Sequence, residues 1–150
     1  MNFLKSRFRL NNISMWFGIV AIVIGIALTI LYPLAVQNDT AAIEFNPNLE
    51  VKLVVMLILA TVVEFISLFL DLKEIKAIAF FLFLYDFITY AGTQGNYLAN
   101  IFTAIDGSTF SSYLIAHFVL FGVVLLTSLL SMILLKETGF KKQVAAPKGE

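Results

Sequence analysis

Two carboxylates stand inside long apolar runs, Glu64 within 51–71 and Asp86 within 76–97. Hydrocarbon solvates neither charge nor hydrogen-bonding groups, so an acid in such a run is a functional candidate by default. Three uses are open. Held neutral, one or both carboxyls hydrogen-bond to Tyr90, Thr61, Ser67 or each other. Held charged, they pair with a Lys or Arg of another subunit. Set along a hydrated path, they pass protons or cations. The first, structural use is the commonest, and the expected intramembrane polar site is Glu64, Asp86, Tyr90, Thr61 and Ser67.

Little else in the chain can do chemistry. One His and no Cys leave no thiolate chemistry and no zinc ligand set, so neither a metal nor a cofactor is expected. There is no P-loop, no dinucleotide fingerprint, no H-E-x-x-H and no EF-hand pattern. His117 reads as a hydrogen-bonding residue rather than a base. Asp71, Lys73, Glu74 and Lys76 read as a solvated, charge-balanced turn. Asn38-Asp39-Thr40 matches a glycosylation sequon, a triplet that arises readily by chance.

The elements that position the acids follow from composition. Of 150 residues, 60% are hydrophobic and 13% charged, against about 45–50% and about 25% in soluble domains. Ten Lys+Arg balance ten Asp+Glu, so no global field attracts a partner, and nucleic acid is excluded as one. Four runs, 13–36, 51–71, 76–97 and 113–135, are each about the twenty residues a helix needs to cross hydrocarbon. The first is too long for the apolar core of a cleaved signal peptide. Unpaired backbone is prohibitive in lipid, so continuous runs of this length are helices. The expected fold is all-α, one integral membrane domain: an up-down-up-down four-helix bundle with a cytoplasmic tail at 136–150.

Orientation follows from the basic residues. Lys5, Arg7 and Arg9, then Lys73 and Lys76, then Lys136, Lys141, Lys142 and Lys148 make nine of the ten. Both termini and the 71–76 turn are therefore expected in the cytoplasm, with loops 37–50 and 98–112 outside. Lys52 alone falls on the outer side, where it can snorkel. Trp16, Tyr32, Tyr97 and Tyr113 are expected at headgroup level, and Pro33 is expected to end or bend the first helix.

Helical spacing then sorts the faces. Gly18, Ala21, Gly25 and Thr29 give the first span a narrow face of small residues, a seam for close packing within the bundle rather than for a homodimer. Gly122, Thr127, Ser128 and Ser131 of the fourth span read as packing and hydroxyl-to-carbonyl bonding. Leu53, Leu57, Ala60, Glu64, Ser67 and Asp71 share one face of the second span. Ala79, Phe83, Asp86, Tyr90, Thr93 and Tyr97 share one face of the third. Counted inward from Val51 and from Tyr97, Glu64 and Asp86 lie about 20 Å and about 16 Å deep. Within a turn of each other in depth, the two stripes are expected to face, with His117 about 10 Å higher and no cation at their level.

A buried central Asp costs about 2.5–3.5 kcal/mol on insertion, against about 0.3–0.6 gained per good apolar residue. Carboxylates kept at that cost without a cation of their own, short loops and small size point to a non-catalytic accessory or structural subunit. It would serve a larger membrane assembly, such as a transport complex. Its partners would be the bilayer and another membrane subunit or itself. A small oligomeric proton- or cation-coupled transporter is the alternative, and a membrane enzyme ranks third because only carboxylates are available.

Overall fold

The computed structural model describes residues 13–39, 49–70, 72–103 and 109–135. The basic residues of the N-terminal arm and the tail, Asp71, and Thr40 of the Asn38-Asp39-Thr40 triplet lie outside the described residues. Among the described residues five helices form: α1 Ile13–Asn38, α2 Val51–Leu70, α3 Lys73–Thr93, α4 Gly95–Thr103 and α5 Ser112–Ile133. No strand occurs among the described residues. Four of the helices, α1, α2, α3 and α5, are long and apolar enough to cross a membrane, the pattern of a multi-pass membrane protein.

Each long helix satisfies its own backbone, as lipid demands. Ser111 caps α5, its hydroxyl accepting from Leu114 N at 3.0 Å, which fills one of the orphan donors of the first turn. Pro33 neither ends α1 nor marks its last turn, because the helix runs on to Asn38. Its missing N–H takes only the bond to the Thr29 carbonyl.

The third span departs from the sequence expectation. It begins at Lys73 rather than 76 and stops at Thr93, and the chain then turns at Gln94 (φ −90°, ψ 3°) into the separate helix α4. Gly92 and Gly95 flank that break, and each weakens a continuous helix by about 1 kcal/mol relative to Ala. Residues expected in an outer loop are therefore partly helical, with Tyr97 buried and Phe102 exposed.

In the bundle α1 packs on α2 and α5, and α3 packs on the same two helices. The seam of α1 is buried at Ser14, Gly18, Ala21, Gly25 and Leu28, and Thr29 is half-buried. A Cβ at Gly18 would lie 2.7 Å from Leu68 Cδ2, and one at Gly25 would collide with Thr61 Oγ1. Small residues are thus what lets α1 approach α2. Gly122 overturns its expected packing role: it is exposed, with open space where a Cβ would go. The outward faces carry Val, Ile, Leu and Phe.

Two of the tyrosines expected at headgroup level, Tyr32 and Tyr97, are buried staples between elements. The Tyr32 hydroxyl accepts from Glu50 N at 3.1 Å, tying α1 to the start of α2. The Tyr97 hydroxyl donates to Thr109 O at 2.7 Å and accepts from Ser111 N at 3.2 Å, tying α4 to the start of α5. Trp16 is exposed and Tyr113 half-buried.

Candidate functional site

The bundle interior is layered, and the successive small residues of α1 mark the layers. Nearest the α2–α3 turn is an ion pair. Lys76 Nζ lies 3.8 Å from Glu64 Oε1, the side chains 2% and 0% exposed. All four long helices build it. The Lys76 ammonium donates to the Ser131 hydroxyl. Ser128 Oγ reaches Glu64 Oε2 at 3.5 Å. Ser14 Oγ donates to the Ser131 carbonyl at 2.6 Å. Gly18 roofs the cluster: a Cβ there would stand 3.1 Å from Glu64 Oε1 and 3.2 Å from Ser131 Oγ.

This corrects the expectation that no cation shares the depth of the carboxylates. Lys76 was expected on the solvated turn, and it is 1% exposed. The reason is side-chain length, since a lysine stem can carry its ammonium well away from its own backbone position. A spacing signal for it does exist. The buried face of α3 reads Lys76, Ala79, Phe83, Asp86, Tyr90, so the stripe drawn from Ala79 extends one step back onto Lys76.

A dry layer comes next. Phe83 packs at Gly25, where a Cβ would be 3.2 Å from its Cζ. Thr61 shares this level, its hydroxyl donating to Leu57 O at 2.8 Å within α2. Ser67 likewise bonds inside its own helix, to the Glu64 carbonyl at 2.6 Å. Neither hydroxyl is bonded to a carboxylate.

Beyond Phe83 lies an aromatic layer. Tyr90 stacks on His117 with ring centroids 4.9 Å apart and an interplanar angle of 19°. Tyr32 meets both rings edge-on, at 6.1 Å and 6.2 Å. Phe118 and Phe121 complete the cluster around Tyr90. Asp86 lies one turn before Tyr90 on the same face of α3 and is fully buried. Among the described residues neither of its oxygens has a hydrogen-bond partner, and neither does His117 Nε2.

Glu64 and Asp86 therefore belong to different layers. Asp86 lies ten residues beyond Lys76 on α3, about 15 Å along the helix axis. The expectation of equal depth used Tyr97 as an end-point, and Tyr97 belongs to α4, past the break at Gln94. His117 stacks on Tyr90, which follows Asp86 by one turn on the buried face of α3. On the outside, Lys52 Nζ rests 5.3 Å from the centre of the Tyr85 ring, a cation–π contact on the surface of α3.

Comparison of the chain with protein-family models, with curated proteins and with solved structures finds no match.

Proposed function

We propose that the chain is a non-catalytic, multi-pass subunit of a larger membrane assembly, such as one serving transport. It sits in the cell membrane as an up-down-up-down bundle, with both termini and the α2–α3 turn in the cytoplasm. The observation that carries the non-catalytic reading is the Glu64–Lys76 pair with its serine clamp. Each of the four long helices contributes to it, so these charges fasten the spans to one another and are not aimed at a substrate. A partner is supported by Asp86, the buried acid with no partner for either oxygen among the described residues. The topology is supported by contacts near both ends of α1: Ser14 meets Ser131 late in α5, and Tyr32 meets His117 early in α5. The orientation is supported by eight of the ten basic residues falling on one side, with Lys76 buried in the bundle near that same end.

Gentle detergent extraction followed by mass spectrometry tests the assembly. The expected outcome is a heteromeric membrane partner in fixed stoichiometry. A homo-oligomer with nothing else bound overturns the proposal.

One observation favours a second reading, a small oligomeric proton- or cation-coupled transporter. Asp86 is a buried acid with no partner for either oxygen among the described residues. A group kept in that state needs a guest or a task.

A further inference from the structure

We infer that Asp86 and His117 hold one small monovalent cation, a proton carried with water or an alkali ion, in the aromatic layer of the bundle. Two observations converge on this. His117 Nδ1 lies 2.7 Å from the Tyr113 carbonyl. A carbonyl only accepts, so Nδ1 carries the hydrogen and Nε2 turns a lone pair into the bundle. Nε2 is buried and unpartnered among the described residues, as are both oxygens of Asp86. Three buried acceptor atoms, the two Asp86 oxygens and His117 Nε2, therefore lie without a donor among the described residues. Their chemical complement is a guest with positive charge or with protons to give.

The surrounding groups supply no such charge. Tyr32 from α1 and Tyr90 from α3 pack on the imidazole. Tyr97 of α4 and Asp39 after α1 lie toward the loop end, where Asp39 accepts from the Ser111 hydroxyl. From α5 the neighbour one turn on is Phe121, and the buried residues of α2 above Thr61 are Ala60, Leu57 and Leu53. Lys76 is in the ion pair beyond Phe83, and Lys52 lies outside on Tyr85. This proposal deepens the transport reading and rests on it for the use of the site, while occupancy and flux are measured apart.

His117 is the single histidine of the chain, so isotope-labelled histidine gives one imidazole reporter in the full-length protein in lipid nanodiscs. Its Nε2 resonance is followed while pH is varied in choline buffer, then while sodium chloride is added at fixed pH. A signal that moves with pH and ignores sodium identifies the proton; one that moves with sodium at fixed pH identifies the alkali ion. Asp86→Asn is expected to weaken the response at least about tenfold, within the usual range for coupled sites. Gly122→Ala, on the outer face, is expected to leave it unchanged. No response to either titrant, or an equal response in Asp86→Asn, overturns the inference. Should Asp86→Asn fail to fold, the infrared carboxyl band of the wild type must change with the same titrant, and a flat band overturns it equally. Flux into vesicles separates the two claims. A response without flux ends the transport reading and leaves the site, and flux without a response does the reverse.

Discussion

Removing one member of the Glu64–Lys76 pair strands the other where neither water nor lipid can answer it. Glu64→Gln or Lys76→Met alone is expected to cost about 3–5 kcal/mol of stability, the range for breaking a buried pair. The double variant should cost clearly less than the sum, because no lone charge is left. Denaturant unfolding in a lipid environment measures both, and strictly additive losses would refute the coupling. Ser131→Ala leaves the Lys76 ammonium without its hydroxyl acceptor, at an expected cost of about 1–3 kcal/mol in the same assay. The acids and their small-residue surroundings were legible in the sequence, since a carboxylate inside an apolar run stands out whatever the tertiary structure. Lys76 was not. A lysine just after a turn is ordinarily solvated, and only the packing of α5 against α3 shows its ammonium ending on Ser131. The layer each acid occupies was equally hidden, because depth was counted from an end-point that the helix does not reach.

Approach distances between helices are set by single atoms at the seam of α1. Gly25→Ala places a methyl against Thr61 Oγ1, whose hydroxyl is held by the Leu57 carbonyl. The expected loss is about 1–3 kcal/mol, typical of overpacking. Thr61→Ala in the same chain should recover part of that loss by clearing the space. Thermal unfolding of the single and double variants checks this, and no recovery would mean that Thr61 is not the obstacle. The seam itself could be read from spacing, as could the buried faces of α2 and α3, because a helix repeats its face every three to four residues whatever it packs against. The break at Gln94 could not. A glycine pair permits a continuous helix as well as a broken one, and the staple from Tyr97 to Thr109 and Ser111 is a contact across elements. Gly122 shows the converse: a glycine on an apolar helix reads as a packing residue until its neighbours are known.

At the scale of the whole molecule the basic residues make orientation testable in intact cells. Cysteine introduced at Thr40 or Ser108 should react with an impermeant thiol reagent, and cysteine at Gln143 should not. The chain has no native cysteine to confuse the result. Labelling in the opposite pattern would invert the topology. The ion pair has a further consequence for how such a chain is made. Glu64 and Lys76 stand twelve residues apart on either side of one turn. A charged residue that enters the bilayer alone pays a cost that reaches about 2.5–3.5 kcal/mol at the centre. A hairpin that delivers both from the translocon together presents the lipid with a compact dipole instead of two separate ions. Ser128 and Ser131 belong to α5, which emerges from the ribosome after α1, α2 and α3, and Ser14 has waited in α1. The order of synthesis is then also an order of neutralisation: the hairpin cancels its own charge, and α5 latches that settled pair to α1 through Ser131 and Ser14.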